Sequence, residues 1–269
     1  MDSEAVDKTN IIRIAAYSNK GRKRETNEDA VVVSGCVLSG IDMENPITLE
    51  LESERDIFCV IDGMGGYKGG RLAAQIIAQN IQRARLDLPG TMRENDPWFA
   101  DCIKKTAEEM RNISQKSPEL DKMGATMAGL YFCNEYAYAF NCGDSRVYRF
   151  CDGYMDKLTR DHSIVQELVD NRIIKEEEMR AHPKKNVVTS SINPSSDYDF
   201  YFRKVALRKN DIFFICSDGV WETFPLEEIE KTLSNINSFD GCSELAKNLL
   251  EAQCKDNVSF ILISFLKQA

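Results

Sequence analysis

Apolar and β-branched residues gather in short runs along this chain, and the runs at 11–17, 30–38, 57–61, 125–132, 136–142, 146–150, 200–207, 211–216 and 257–265 predict strands. Several have no polar alternation, as strands buried on both faces require. Between them, apolar positions recur at helical spacing over 70–85, 97–115, 164–171, 175–181, 225–234 and 242–254. The two long early helices are consecutive, and the strands after them come as hairpins, 136–142 turning through Gly143-Asp144 into 146–150. That order does not suit a strictly alternating parallel sheet and favours antiparallel sheets with helices packed outside them. The stretch 190–197, with its serines and Asn-Pro, reads as a loop rather than a tether, so residues 1–269 are expected to form one domain.

Four aspartates share one address in this pattern, each at the end of a strand beside an easily turning residue. They are Asp62 in Val-Ile-Asp-Gly, Asp144 in Asn-Cys-Gly-Asp, Asp218 in Cys-Ser-Asp-Gly, and Asp256 in Lys-Asp-Asn, where the strand follows. Each alone is explained by tight-turn chemistry. Four together point to carboxylates that converge where strand ends meet, and converging carboxylates need a cation. An all-oxygen set suits Mg²⁺ or Mn²⁺, and with only His162 and His182 in the chain an imidazole-rich centre is excluded. In Asp62-Gly-Met-Gly-Gly66 the glycine lets backbone approach an ion, so the Gly63 carbonyl is a candidate ligand, although a flexible strand-to-helix turn explains the glycines equally well. The spacing is not that of a phosphate-cradling P-loop. Upstream, Arg24-Glu-Thr-Asn-Glu28-Asp29 reads either as a charged turn or as a site segment. In the second reading Arg24 supplies a planar fork for a phosphoryl group, and Glu28 and Asp29 add charge.

Composition narrows the partners. A net charge of −9 argues against nucleic acid, with the cluster Lys20, Arg22, Lys23, Arg24 a local exception that reads, Arg24 apart, as a solvated charged turn. No window has the length of a membrane span, and the first nine residues are polar and acidic rather than basic then apolar, so a cytoplasmic protein is expected. The nine cysteines are odd in number and sit singly in apolar runs, as buried reduced thiols do.

In chain order, Arg24-x-x-Asn-Glu28-Asp29, Asp62-Gly-Met-Gly-Gly66, Met123-Gly-Ala-Thr126, Asn141-Cys-Gly-Asp-Ser-Arg146, Leu158-Thr-Arg-Asp-His-Ser163, Ser217-Asp-Gly219 and Lys255-Asp-Asn257 closely resemble the motif set of the type 2C, metal-dependent protein phosphatases, in their bacterial-type branch. The resemblance implies an α+β fold, a four-layer α-β-β-α sandwich with two central antiparallel sheets and a flap at about 165–195. It implies two divalent cations, Mn²⁺ or Mg²⁺, with Asp62 bridging both, the Gly63 carbonyl a ligand, and Asp218 and Asp256 completing the direct set. Glu28 and Asp29 match acids acting through coordinated water, Asp144 with Asp218 matches a weaker third-ion site, and Arg24 matches the arginine that grips substrate phosphate. The chain departs from relatives at Asn19, where they often have Asp, at Arg71, where they often have Glu, and at Met64, where some animal-type relatives carry a histidine that protonates the leaving group. His162, at the start of the flap, is expected to be structural.

The activity so implied is hydrolysis of phosphoserine and phosphothreonine in proteins by metal-activated water, without a covalent intermediate, by a monomer acting on targets of a Ser/Thr kinase. No cysteine here lies in the C-x₅-R loop that a cysteine-based phosphatase uses. Two rivals share the fold: an inactive binding protein, which normally loses a direct ligand, and a hydrolase of small phosphate esters.

Overall fold

Side chains that alternate between two apolar environments set the layering of this molecule. The computed structural model describes residues 10–66, 68–90, 96–151, 154–195, 198–208, 210–233, 240–252 and 254–266. The expectation drawn from the first nine residues lies outside them. In chain order the elements are β1 (Asn10–Asn19), β2 (Ala30–Val33), β3 (Cys36–Ser39), β4 (Ile47–Ser53), β5 (Arg55–Met64), α1 (Gly69–Ala84), α2 (Pro97–Ser114), β6 (Gly124–Cys133), β7 (Tyr136–Cys142), β8 (Arg146–Cys151), β9 (Tyr154–Lys157), α3 (Ile164–Asp170), a 3₁₀ segment (Glu176–Ala181), β10 (Tyr201–Ala206), β11 (Ile212–Cys216), α4 (Asp218–Thr223), α5 (Leu226–Leu233), α6 (Asp240–Glu251) and β12 (Val258–Leu266).

The strands form two six-stranded sheets, ordered β4-β1-β12-β11-β8-β9 and β10-β7-β6-β5-β2-β3, and every pairing is antiparallel. On β5, Phe58 and Val60 face the other sheet and join Ile14, Phe132, Phe213, Ile261 and Phe265 in the central core. Ile57, Cys59 and Ile61 face the opposite way, onto α1 and α2. The outer face of the first sheet, with Tyr17, Phe214 and Phe260, is covered by Trp221 of α4, Ile229 of α5 and Leu245 of α6. This is the α-β-β-α sandwich, and it explains why β6 is buried along its whole length and reads as one apolar run.

Some boundaries differ from the sequence reading. The run 30–38 is not one strand: Ser34 and Gly35 adopt positive φ (46° and 81°), which turns the chain into the β2–β3 hairpin. The segment expected as a helix at 175–181 is a 3₁₀ turn, too short and acid-rich to propagate as an α-helix. The strands β4 and β9 were not anticipated; both are short or polar edge strands with little buried surface to mark them. Nor was α4, whose helical turn begins on Asp218 itself. The cysteines stand unpaired among the described side chains, buried except for Cys36.

Candidate metal centre

Strand register brings the acids to one end of the sandwich. In the first sheet Asn19 at the end of β1 pairs with Val258 at the start of β12, and Cys216 at the end of β11 pairs with both Phe260 and Arg146. In the second sheet Ala30 opposes Ile61, and Asp62 opposes Thr126. The residues just beyond these pairs, Glu28, Asp62, Asp144, Asp218 and Asp256, line one cleft of about 260 Å³. Arg24, Gly63, Met64, Gly65, Gly66, Thr126, Asn257 and, from the flap, Asn186 and Val188 complete its wall. Of the residues proposed from the sequence to bind metal or phosphate, Asp29 alone is absent from the wall, lying fully buried.

Backbone packing fixes these positions tightly. A Cβ on Gly63 would stand 2.3 Å from the Gly70 carbonyl oxygen, and one on Gly70 would stand 2.1 Å from Glu28 Oε2. The two glycines therefore exist so that Glu28 can reach the cleft between β5 and α1. Gly21, at φ 75°, presses against the Asp256 carbonyl, where a Cβ would come within 2.3 Å. Asn257 then staples the loop: its Nδ2 donates to the Lys20 and Thr26 carbonyls at 3.1 and 2.9 Å, and its Oδ1 accepts from the Glu28 amide at 2.9 Å. Behind the wall, Ser217 Oγ donates to Asp29 Oδ2 at 3.1 Å, and the hydroxyls of Ser18 and Ser259 share a hydrogen bond at 2.9 Å.

The electrostatics are those of anions held close together. Burial, then Asp218, Asp29, Asp256 and Asp144, drives the Asp62 carboxyl well above its ordinary range. Burial and the neighbouring Asp144, Asp256 and Glu222 do the same to Asp218. Asp29 and Asp144 are each pushed up to about 7, chiefly by burial. Asp62, Asp29 and Asp218 raise one another's carboxyl pKa or share its proton, a grouping that carboxylates tolerate only with a shared proton or a cation. Buried Oδ1 atoms on Asp29 and Asp218 lack hydrogen-bond partners. An oxygen-only donor set with orphaned acceptors fits hard divalent cations. Among the described residues, however, no three His, Cys, Asp or Glu side chains are drawn tightly enough to hold an ion as they stand. Asp256 is turned to Arg24, its Oδ2 accepting from Nη2 at 2.6 Å while Oδ1 accepts from the Asn257 amide at 2.9 Å.

The sequence model for protein phosphatase 2C matches residues 22–195, more than half of the chain. The chain belongs to the protein phosphatase 2C family. Among relatives of this phosphatase, protein phosphatase PhpP of Streptococcus pneumoniae is 29% identical over 212 residues, covering 78% of this chain and 86% of that protein. Serine/threonine phosphatase stp of Listeria innocua is 26% identical over 220 residues, 81% of each. The crystal structure of Mycobacterium tuberculosis serine/threonine phosphatase PstP/Ppp superposes with a TM-score of 0.80 at 24% identity, covering 96% of this chain and all of that one, a likeness of fold. A structure of the PstP catalytic domain in complex with two manganese ions superposes with a TM-score of 0.77 at 22% identity. The phosphatase is thus a bacterial-type, metal-dependent serine/threonine protein phosphatase, as its motif order implied.

Three contributors to this phosphatase's site escaped the sequence reading. Glu222, one turn along α4 from Asp218, bears on both Asp218 and Asp144, and its carboxylate pairs with flap Lys185 at 2.5 Å. The i, i+4 spacing from Asp218 was the available signal, lost because α4 was not foreseen. Trp221 donates its indole N–H to the Asp144 carbonyl at 3.1 Å and carries the Arg146 guanidinium 3.6 Å from its ring centre. Asp161 grips that guanidinium through both oxygens, at 3.1 Å and 2.6 Å. His162 does not line the cleft; its Nδ1 accepts from the Gly143 amide at 3.1 Å and its carbonyl accepts from the Thr189 amide at 2.8 Å, tying the flap's two ends to the Asp144 turn.

Proposed function

We propose that the phosphatase hydrolyses phosphoserine and phosphothreonine in proteins at this cleft, with two divalent cations, Mn²⁺ or Mg²⁺, held by Asp62, the Gly63 carbonyl, Asp218 and Asp256. Glu28 and Asp29 act on that pair through water, and Asp144 with Asp218 and Glu222 offers a weaker third position. The observation that carries the reading is the convergence of Asp62, Asp144, Asp218 and Asp256 on one cleft, with Asp29 buried behind it and the carboxyls repelling one another. Bound cations supply Lewis acidity, which neutralises phosphoryl charge and sharpens water as a nucleophile.

The chain's own residues do the rest. Arg24, half exposed at the mouth, offers its planar fork to the phosphoryl oxygens once it exchanges Asp256 for substrate. Gly63 and Gly70 hold Glu28 in register with Asp62. Met64, Asn186 and Val188 all line the cleft and carry no titratable proton, which leaves water to protonate the departing alkoxide. A cleft of about 260 Å³ admits a phosphorylated side chain but little more of its carrier. Arg24, Gly65, Gly66 and Asn186 of its lining are exposed, and a site open to solvent suits a phosphorylated side chain carried by a protein. No helix among the described residues is long and apolar enough to cross a membrane. We propose, from the family's motifs, a cytoplasmic monomer acting on the targets of a Ser/Thr kinase.

The test is hydrolysis of an aryl phosphate and a phosphothreonine peptide with Mn²⁺, with Mg²⁺ and with chelator, by wild type and by Asp62→Asn. Turnover of both substrates that disappears with chelator and with the substitution is expected. Activity that persists through both contradicts the reading, and turnover of the aryl ester alone favours the small-ester hydrolase.

A further inference from the structure

The floor of the cleft is anionic, yet its rim is not. Five separate segments that carry or adjoin the cleft's lining bear cations: Arg22 and Lys23 in the turn after β1, Lys68 at the start of α1, Lys122 just before β6, Lys184 in the flap and Lys255 just before β12. Their backbones are anchored to the cleft itself. Gly21 and Asn257 clamp the 20–26 loop to the Asp256 backbone, and Lys255 is the residue before Asp256. Cleft residue Gly65 packs on the Lys122 carbonyl, where a Cβ would come within 2.4 Å, and Lys184 lies two residues from the cleft's Asn186.

All six are exposed, and among the described residues none forms an ion pair, Arg22 donating through Nε only to the Leu250 carbonyl at 3.2 Å. The other rim cations are committed, Lys20 to Asp42, Arg24 to Asp256 and Lys185 to Glu222. Interleaved Glu25 and Asp121 only partly offset the six. In a chain of net charge −9, positive charge gathered around an anionic floor is not a consequence of composition. Such a ring attracts a ligand that is negative beyond the reacting phosphate, and repels basic ones.

We infer that the rim selects phosphoserine and phosphothreonine sites flanked by Asp or Glu, the acidic neighbours lying over Lys23, Lys255, Lys122 and Lys184 while the phosphate enters the cleft. The inference rests on the phosphatase reading above and specifies its substrate class. Being a contact of solvated charges, the preference lies in KM and fades with salt.

Three phosphothreonine peptides, identical except for acidic, neutral or basic flanks, decide the matter with the full chain. At roughly 50 mM salt the acidic peptide is expected to exceed the basic one in kcat/KM by about tenfold, mostly in KM, and at roughly 500 mM by less than about twofold. Lys122→Glu combined with Lys184→Glu should erase or reverse the order, changing the acidic-to-basic ratio far more than it changes aryl phosphate hydrolysis. Equal or better turnover of the basic peptide at low salt overturns the proposal, as does a double variant that retains the acidic preference. Should no peptide turn over, which would count against the phosphatase reading, fluorescence anisotropy of the same labelled peptides still ranks their binding. Acidic-first, salt-sensitive binding then upholds the rim's role and any other order refutes it.

Discussion

Asp29 has no contact with solvent, and its carboxyl titrates near 7 where an unburied aspartate titrates at 3.8. Between those values the folded chain keeps a proton that the unfolded chain releases, so raising the pH through that window removes stability. Asp144 behaves in the same sense. In chelator, the melting temperature should therefore fall from about pH 5 to about pH 8, as scanning calorimetry would register. Cations that replace those protons reverse the trend: Mn²⁺ affinity by titration calorimetry should climb with pH, by up to about tenfold per unit for each proton displaced, and level off above neutrality. Affinity independent of pH would mean that these carboxyls are not displaced. Arg24 makes the second prediction at this scale. Arg24→Ala should lower kcat/KM by about 10²–10³, and Arg24→Lys should recover only part of it, because an ammonium lacks the bidentate fork.

Among the elements, α1 is seated against β5 by two glycines, and Gly70→Ala is expected to push Glu28 out of the cleft, weakening Mn²⁺ binding by about 10–100-fold with little loss of helix content by circular dichroism. Asp161 holds the buried Arg146 that stacks on Trp221 of α4, so Asp161→Ala should cost about 3–5 kcal/mol in chemical denaturation by stranding that cation. Most of this scaffold was readable beforehand, because β5, β6, β11 and β12 sit between layers and their apolar runs are unbroken. The aspartates at their ends were legible for the same reason, since a carboxylate that closes such a run has few structural excuses. What stayed hidden was whatever lacks its own pattern. The edge strand β4 is mostly exposed and acidic, the α4 turn is a single pair of turns, and Asn257 reveals its stapling role only once Lys20, Thr26 and Glu28 stand around it.

At the scale of the molecule, the two sheets meet through Phe58, Phe132, Phe213 and Phe265, with ring centres 5.1–6.0 Å apart along that chain of contacts. Phe58→Ala should destabilise the fold by about 3–5 kcal/mol, seen as a lower denaturation midpoint, and should depress metal binding only in step with unfolding. Were the cleft's affinity to collapse while the fold stayed intact, the sandwich core and the site would be coupled more directly than the packing indicates. The pairing of β1 with β12 sets a further condition. The earliest and the latest strands of the described chain lie side by side near the middle of one sheet, and the loops at their shared end carry Arg24, Glu28 and Asp256. During synthesis, the ribosome must deliver the last strand before that end can close. A nascent chain that has not yet delivered β12 therefore lacks Asp256 in its place beside Arg24 and has no assembled centre to act prematurely on its surroundings.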